Sequence, residues 1–366
     1  MNILLLEPYF TGSHKSWALG YQQQSHHEIN ILSMKGQFWK WRMHGGAVTL
    51  ANQYIKSELK PDLILATDML DLTTFLSLTR KKSSDIPTTI YFHENQLSYP
   101  WSPADRDVQA NRNKHYGFIN YSSALTADYV LFNSKYHQNS FIHEVRKLLK
   151  HFPDNNELET VNQIQTKSKV LHLGLDLSRF DISQKKNDGP PLILWNHRWE
   201  YDKNPEDFFK QIFRLNEEGV DFQLAILGEN FKTTPSIFDE AKIKLCNKII
   251  HFGYCESFDD YAKWLWKADI LPVTSIQDFF GISIMEAIYC NTLPLLPERL
   301  TYPELLPVEL HQNHIYTNET DLYEKLKSAI QKISEIRKME FSPIAKKYSW
   351  ANMGPIYDEL FLSFKN

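Results

Sequence analysis

The chain has 366 residues, of which 42% are hydrophobic and 23% are charged, and its formal net charge at pH 7 is −4. That length is enough for two domains of ordinary size, and the composition is that of a soluble globular protein. No apolar run approaches the length of a membrane span, and residues 1–8 are too few and too soon acidic for a signal peptide. The three cysteines (Cys246, Cys255 and Cys290) have no metal-ligand spacing, so we expect reduced thiols and a cytoplasmic location.

The charge is distributed unevenly between the two halves. Residues 1–180 carry 19 Lys and Arg against 16 Asp and Glu, whereas residues 181–366 carry 21 against 28. If one half meets a polyanion, it is the first. The small positive excess is also within ordinary scatter, so charge alone does not identify a nucleic-acid partner.

Short β-rich runs alternate with longer helical stretches along the chain. We predict strands at 2–6, 28–32, 63–66, 88–92, 129–132 and 169–173 in the first half, and at 192–195, 222–227, 249–252, 270–273 and 293–296 in the second. Strands separated by helical lengths indicate βαβ units and parallel sheets. We therefore predict an α/β protein with two doubly wound, Rossmann-like domains.

The domain boundary is predicted from a polar segment, residues 181–191, that ends in Gly-Pro-Pro. We predict a first domain over 1–182, a linker over 183–190, a second domain over 191–345 and a final helix within 346–366. Ligands of open α/β sheets bind beyond the carboxyl ends of the strands, so the loops after the predicted strands are where we expect the site.

The first such loop contains residues 7–15, directly after the first predicted strand. Gly12 allows close backbone approach, and Ser13, His14 and Lys15 offer donors where the next helix begins. The spacing of a dinucleotide-binding fingerprint is absent.

The loop after the fourth predicted strand is dense in polar groups, among them His93, Glu94, Asn95 and Gln96. A structural protein has no need of them directly after a buried run. A lone histidine usually packs in a core or caps a helix, but this context favours a functional His93. The nearby Asp105-Arg106-Asp107 has the form of a metal-binding Asp-x-Asp, yet it follows a loop rather than a hydrophobic strand, so we predict no metal site.

In the second half, Asn196 to Lys203 follows a predicted strand and opens a helix. Arg198 and Lys203 are five residues apart and can converge on one phosphate pair, Arg as a planar fork and Lys as a compact charge. The alternative is two solvated basic residues. Two later strands run into glycine turns at Gly228 and Gly253, which mark either tight turns or close contact with a ligand.

The segment from Asp278 to Glu286 has two carboxylates eight positions apart, with Gly281 between them at a predicted helix start. The free N–H groups of a helix N-terminus suit an anionic or polyhydroxyl ligand. Glu286 lies one or two turns into the helix and can reach the same ligand. The alternative is an amphipathic helix with a capping acid.

This segment resembles the Glu-x7-Glu element of retaining glycosyltransferases with two Rossmann-like domains facing a cleft, the GT-B architecture. The resemblance implies that Asp278 contacts the donor sugar, one methylene short of the usual Glu, and that Glu286 contacts the donor ribose. It implies that Arg198 and Lys203 clamp the donor diphosphate in place of a metal, and that the last helix crosses back to the first domain. The remaining donor contacts implied are Gly12, Ser13, His14, Asn196, Gly228, Phe252, Gly253, Tyr254, Phe280, Gly281 and Ile282, with His93 beside the sugar.

A narrower resemblance covers most of the chain, from Ile3 to about Pro303. It rests on motifs in one order: residues 12–15, 39–42, 92–100, 106–107, 116–120, 132–134 and 278–281. Together they are similar to the tRNA-queuosine α-mannosyltransferase family. This implies transfer of mannose from GDP-mannose to the cyclopentene-diol of queuosine in a tRNA anticodon, that of tRNA-Asp. Asp278 and Asn291 depart from the family pattern, which puts the sugar contact in question more than the reaction class.

On that resemblance the acceptor is expected to bind the first domain. Trp39 and Trp41 would stack on anticodon bases, or else are ordinary core or strand residues, while Lys40 and Arg42 would hold phosphates. The other acceptor contacts expected are Glu94, Asn95, Gln96, Tyr116, Asn120 and Asn133. We assign no general base, because in retaining enzymes of this fold the departing phosphate can take the proton.

Two alternatives stay open. The same chemistry can act on a lipid or polysaccharide, for which residues 145–152 are the nearest candidate for a basic membrane-binding helix. The protein can also be an inactive tRNA-binding scaffold, although Arg198, Lys203 and Glu286 argue against that reading.

Overall fold

The computed structural model describes residues 1–101, 105–110, 112–181, 188–229 and 234–364. The chain forms two compact units, Met1–Leu175 with Trp350–Asn366, and Asp176–Ser349. The boundary therefore lies at 175/176 rather than at the predicted 182/183. Phe180 already belongs to the second unit, where its ring packs against Phe258 and its carbonyl accepts a 2.6 Å hydrogen bond from Trp266 Nε1. Most of the predicted linker, residues 183–187, lies outside the described residues.

The first unit contains a six-stranded parallel sheet in the order β2-β1-β3-β4-β5-β6. The strands β3 and β4 are buried along their whole length, as expected for a parallel sheet covered on both faces. All six predicted strands are confirmed, but β1 continues to Phe10, so that Glu7 lies inside the strand and not in a loop. The bounds are β1 Asn2–Phe10, β2 Glu28–Lys35, β3 Leu63–Thr67, β4 Thr88–Phe92, β5 Tyr129–Phe132 and β6 Ser168–Val170.

Helices connect these strands in the βαβ manner. They are α1 Gly12–Gln24, α2 Trp39–Lys56, α3 Leu72–Ser83, α4 Arg106–Gln109, α5 Lys114–Thr126, α6 Lys135–Lys150 and α7 Glu159–Thr166. The last helix of the chain, α17 Trp350–Leu362, packs on α1 of this unit. Trp17 Nε1 donates to the Tyr357 hydroxyl at 3.0 Å. A Cβ at position 20 would lie 2.0 Å from Trp350 Nε1, so only glycine fits there without a clash.

The second unit contains another six-stranded parallel sheet, in the order β12-β11-β10-β7-β8-β9. Counted from β7, this is the 3-2-1-4-5-6 order of nucleotide-binding folds. The five predicted strands are confirmed, and the two-residue β12 was missed because it is too short to show a period. The strands are β7 Leu192–Trp195, β8 Gln223–Ile226, β9 Ile249–Phe252, β10 Ile270–Pro272, β11 Leu293–Pro297 and β12 Ile315–Tyr316.

The helices of the second unit are α8 Pro205–Glu217, α9 Ile237–Lys244, α10 Phe258–Lys267, α11 Ile282–Tyr289, α12 Tyr302–Leu305, α13 His311–His314, α14 Glu319–Gln331, α15 Ile333–Ile336 and α16 Ser342–Lys346. Within the described ranges, each helix is too short or too polar to cross a membrane. The strand order reverses between β1 and β3 in the first unit and between β7 and β10 in the second. Loops at such reversals open a crevice for ligands.

Candidate active site

Arg198 and Lys203 lie in the loop after β7, and both contact Asp202. Arg198 Nη2 is 3.8 Å from Asp202 Oδ2, and Lys203 Nζ is 3.3 Å from the same oxygen. Arg198 Nη1 also pairs with Glu200 Oε2 at 3.1 Å. The Arg198 side chain is 46% exposed, whereas Lys203 is buried. The structure thus brings the two predicted cations together around one carboxylate.

Lys203 also binds Asp278, the predicted sugar contact. Its Nζ donates to Asp278 Oδ1 at 3.0 Å and to the Gln277 carbonyl at 2.8 Å, while the Tyr302 hydroxyl donates to Asp278 Oδ2 at 2.6 Å. Burial alone would lower the pKa of Lys203, but Asp278 and Asp202 raise it above its ordinary value, so the ammonium stays charged. Both Asp278 oxygens are therefore engaged within the protein.

The helix α11 begins beside this group. Gly281 is its N-cap, with φ +93°, a conformation that glycine adopts without strain. Ile282 opens the helix, while the Phe280 side chain is buried against Tyr348 at 5.1 Å. Phe280 is therefore a core side chain, and only its backbone is placed for the donor contact expected from the sequence.

Glu286 lies one turn into α11 and accepts a 2.8 Å hydrogen bond from the Tyr261 hydroxyl. Burial raises the pKa of Glu286 to about 7, and the Tyr261 hydrogen bond and the charge of Arg179 oppose that rise.

The donor contacts expected at the two glycine turns, Gly228 and residues 252–254, are only partly accessible. A methyl group at Gly228, which has φ +118°, would lie 2.0 Å from the His197 carbonyl oxygen, so this glycine permits close packing of two loops. Phe252 packs edge-on against Trp199 at 4.8 Å. Gly253 has open space around its Cα, and Tyr254 is 61% exposed. Gly253 and Tyr254 are therefore the accessible residues of this group.

Asn196 ties this loop to α11, since its Nδ2 donates to the Ser283 carbonyl at 2.8 Å. Its Oδ1 is buried without a hydrogen-bond partner. An acceptor left in this state beside a helix N-terminus is ready for a ligand donor.

A second group of polar side chains lies at the strand reversal of the first unit. Glu7 Oε2 pairs with His14 Nδ1 at 2.9 Å, and Asp68 Oδ1 accepts the His93 N–H at 2.8 Å. The His14 and His93 rings are 4.3 Å apart, and all four residues are buried. Among the residues that the structure describes, none forms a hydrogen bond with His93 Nε2. We call Glu7, His14, Asp68 and His93 the buried acid–histidine group.

The two histidines in this group differ in charge. Burial alone would lower the pKa of His14, but Glu7, through its charge and hydrogen bond, and then Asp68 and Glu94, raise it to about 9. Burial and the neighbouring His14 hold the pKa of His93 well below its ordinary value. His14 is therefore an imidazolium and His93 a neutral ring, which presents Nε2 as either donor or acceptor to a hydroxyl.

The loop after β1 reaches α1 through Gly12, whose φ of +49° places it in the left-handed region. Ser13 is exposed next to it in the first turn of α1. Both residues lie at a helix start beside His14, as the sequence predicted, and the N-cap Thr11 makes no side-chain capping bond there.

Two sets of side chains contain the residue types that bind metals. The ligating atoms of Glu7, His14 and His93 lie within 4.8 Å of one another, but the protonated His14 and its ion pair compete with a cation. Asp105 and Asp107 instead bind Lys40, at 2.7 and 2.5 Å. Both carboxylates of the Asp-x-Asp pair thus bind one lysine of their own unit, which offsets one of their two negative charges.

Three predicted acceptor contacts are buried amides that hold loops together. Asn95 Oδ1 accepts the N–H groups of Leu97 and Ser98, at 3.0 and 2.9 Å. Asn120 bridges the Gln96 N–H and the Asp68 carbonyl, at 2.8 and 2.9 Å. Asn133 donates to the His93 carbonyl at 2.9 Å and accepts from His137. These amides position His93 and its loop, so we revise their role from acceptor contact to support.

The other predicted acceptor residues divide by exposure. Glu94 is half-buried and accepts from Gln96 Nε2 at 3.0 Å. Trp39 and Tyr116 pack together at 5.2 Å, and the Tyr116 hydroxyl donates to Asp107. Trp41 is 62% exposed, and Arg42 is half-buried. Lys40, with its two carboxylate partners, is an internal ion pair rather than a free phosphate contact.

Comparison with known proteins gives the family. Residues 2–175 match the family described as tRNA-queuosine alpha-mannosyltransferase N-terminal, and residues 178–348 match glycosyl transferases group 1. The chain is 34% identical over 336 residues to the tRNA-queuosine alpha-mannosyltransferase of Drosophila melanogaster, covering 89% of this chain and 86% of that protein. The chain belongs to the tRNA-queuosine alpha-mannosyltransferase family. It is therefore a glycosyltransferase, as the sequence predicted.

Solved structures confirm the fold class. Anabaena HepE in complex with UDP is 14% identical, covers 99% of this chain and 100% of that chain, and has a TM-score of 0.69. Sucrose-phosphate synthase from Thermosynechococcus elongatus is 12% identical with the same coverage and a TM-score of 0.67. At these identities the likeness establishes the fold alone, two Rossmann-like domains of the GT-B architecture.

Sequence reasoning missed several residues that the site contains. Asp68 directly follows the buried strand β3, and this is the same signal that singled out His93 after β4. Glu7 was assigned to a loop and given no role. Asp202 lies between Arg198 and Lys203 in the same loop and was given no role. Tyr261 and Tyr302 gave no local signal, because each joins the site only through a residue about 25 positions away, Glu286 or Asp278.

Proposed function

We propose that this glycosyltransferase moves mannose from GDP-mannose, with retention of configuration, to the cyclopentene-diol of queuosine in a tRNA anticodon, that of tRNA-Asp, in the cytoplasm. Family membership supports the acceptor and the sugar. The observation that carries the chemistry is the convergence of Arg198 and Lys203 on one carboxylate after β7, next to the start of α11.

The proposed mechanism begins with stabilisation of the leaving diphosphate. Lys203 is held by Asp202, Asp278 and the Gln277 carbonyl, whereas the half-exposed Arg198 would exchange its contacts with Glu200 and Asp202 for a phosphate oxygen. Fixed positive charge at the leaving group lowers the barrier because it needs no reorganisation during reaction. The departing phosphate oxygen then takes the proton of the attacking hydroxyl, so no side-chain base is assigned.

The sugar and the ribose are assigned to other side chains. His93 Nε2, neutral and without a partner, would bind a sugar hydroxyl, and Glu286 would bind the ribose diol. Asp278 would reach the sugar only by exchanging one of its two present partners, Lys203 or Tyr302. We therefore propose that Asp278 first positions Lys203.

The acceptor is tested by incubating the protein with GDP-mannose and two samples of tRNA-Asp, one with queuosine and one without. Mannose is expected on the queuosine-containing sample alone, since only its diol offers the attacking hydroxyl. Mass spectrometry of the digested nucleosides measures the product. Equal transfer to both samples, or transfer only to a lipid extract, would contradict the proposal.

No metal is required by this mechanism, because Arg198, Lys203 and a helix N-terminus supply the positive charge. Turnover is therefore expected to change little after EDTA treatment and dialysis, measured as GDP release with queuosine-containing tRNA. Strict dependence on added Mg²⁺ or Mn²⁺ would instead assign a metal role to Asp105 and Asp107, and loss restored by Zn²⁺ would assign one to Glu7, His14 and His93.

The lipid-acceptor alternative depended on residues 145–152 as a membrane-binding helix. In the structure this segment is the end of α6, and its apolar residues Val145 and Leu149 are buried in the core of the first unit. A helix face already used for packing is not available to a bilayer, so this feature no longer favours a lipid acceptor.

A further inference from the structure

The start of α2 carries two large aromatic rings that the fold leaves in solvent. Phe38 is 75% exposed and Trp41 62% exposed. Phe38 has φ +54° and ψ +54°, a left-handed conformation that is strained for a bulky side chain. Its carbonyl accepts the N–H groups of Trp41 and Arg42, at 2.8 and 3.1 Å, so the helix start holds this conformation. Strain kept at an exposed residue points to a function.

The Trp41 indole packs against the backbone of its own helix at Gly45. A methyl group at Gly45 would lie 2.4 Å from Trp41 Cζ2, so the indole lies against bare backbone one turn further along. One side of the ring is therefore supported, while more than half of the residue stays open to solvent. Phe38 is the N-cap of α2 and Trp41 lies in its first turn, so both exposed rings are at the helix start.

The residues between them face inward. Trp39 packs with Trp101 at 5.6 Å and Tyr116 at 5.2 Å, in a cluster with Met43. Lys40 is ion-paired with Asp105 and Asp107. The segment is thus split into a packed side and an exposed aromatic side, which we call the aromatic face and define as Phe38 and Trp41.

Two cations, Lys35 and Arg42, flank the aromatic face in the sequence. Arg42 Nε donates to the Lys35 carbonyl at 3.0 Å, and within the described part of the chain no carboxylate pairs with Arg42. The neighbouring starts of α4 and α5 are joined to α2 by the Lys40 ion pairs and by stacking of His44 on His115 at 5.1 Å. The cations carried by these segments are Lys35, Arg42, Arg106, Arg112 and Lys114, and the two nearby acids, Asp105 and Asp107, are already paired with Lys40.

We propose that the aromatic face stacks on unpaired bases of the acceptor RNA, with Arg42 and Lys35 on the flanking phosphates. Flat rings with open faces bind any base, and cations beside them follow the backbone. The inference rests on the proposed function, because it takes RNA as the acceptor. It assigns Trp39 and Lys40 to support and adds Phe38 as a contact.

The test compares Phe38→Asn and Trp41→Ala with wild type for binding to an anticodon stem–loop that carries queuosine. Asn tolerates the left-handed conformation at position 38, and Ala suits a helix at position 41. Each variant is expected to raise Kd roughly 5- to 150-fold, the loss of one stacked base. The slope of log Kd against log salt concentration should not change, because no charge is removed.

Arg42→Gln provides the contrasting variant, since loss of one phosphate contact is expected to lower that slope by about one. Ile243→Ala is the control for an exposed apolar residue, as Ile243 is 77% exposed on α9 of the second unit, and it should bind like wild type. A fluorescent purine analogue placed in the loop should be quenched by wild type and not by the Phe38→Asn/Trp41→Ala double variant. Circular dichroism and thermal unfolding confirm that each variant is folded.

Unchanged Kd in both ring variants would overturn the stacking assignment while leaving the proposed function intact if wild type still mannosylates queuosine-containing tRNA. A higher Kd in the ring variants accompanied by a smaller slope of log Kd against log salt concentration would also overturn it, because that pattern indicates lost phosphate contacts. Failure of wild type to bind or modify any tRNA would overturn the proposed function and this inference together.

Discussion

Arg198→Ala is expected to lower kcat with GDP-mannose and queuosine-containing tRNA by about two to three orders of magnitude, the usual cost of one charge-stabilising donor. Arg198 lies half-exposed between Glu200 and Asp202, so its removal should leave the fold and the thermal midpoint close to wild type. Arg214→Ala is the matched control, since Arg214 is equally exposed and pairs with Glu218 on α8 of the same unit. Steady-state kinetics with both substrates measures the effect.

Lys203→Ala is expected to lower kcat by a similar factor and also to destabilise the protein. Lys203 is buried between Asp202 and Asp278, and its loss leaves two carboxylates without their cation, which costs about 3–5 kcal/mol. Adding Asp278→Asn should restore part of the stability and none of the turnover. Near-normal kcat in both Arg198→Ala and Lys203→Ala would rule out the diphosphate clamp.

His14→Ala is expected to lower the free energy of unfolding by about 3–5 kcal/mol at pH 6, because it leaves the fully buried Glu7 carboxylate without a counter-charge. The Glu7→Gln/His14→Gln double variant removes both charges and should lose less. Urea denaturation of the three proteins measures the differences. A loss below about 1 kcal/mol for His14→Ala would show that the pair is not a buried charge pair.

The Glu7–His14 ion pair predicts that the free energy of unfolding falls as pH rises. The pKa of His14 is raised from 6.5 to about 9, so its stabilising contribution is complete below pH 6.5 and is lost as pH rises to 9. Asp68, whose pKa is raised by burial to about 8 despite the opposing His14 charge, adds a fall of the same sign beginning at lower pH. Both groups give the same sign, so the free energy of unfolding of wild type, measured by urea denaturation, should fall as pH rises from 6.5 to 9. A free energy of unfolding that stays constant or rises over that range would contradict the ion pair.

The sequence by itself determined the class of fold and predicted the donor-side residues. Central strands of a parallel sheet are buried on both faces and form continuous apolar runs, as β3, β4 and β7 do. All eleven predicted strands are present, and the further strand in the described part of the chain, β12, has two residues and showed no pattern. Arg198, Lys203 and Gly281 were found for a similar reason. Each belongs to a short motif whose function depends on residues close in the chain.

The tertiary structure decided which polar side chains face a ligand and which hold the protein together. Asn95 and Asn133 lie in the loops after β4 and β5, and Asn120 lies in α5, yet their amides bind backbone groups across 2 to 52 positions of sequence. Lys40 meets Asp105 and Asp107 only because α2 packs beside α4. Phe38 and Trp41 become an exposed pair because the helix begins where it does. Local sequence specifies backbone conformation and periodicity, whereas burial and pairing of a side chain depend on long-range packing that no local pattern contains.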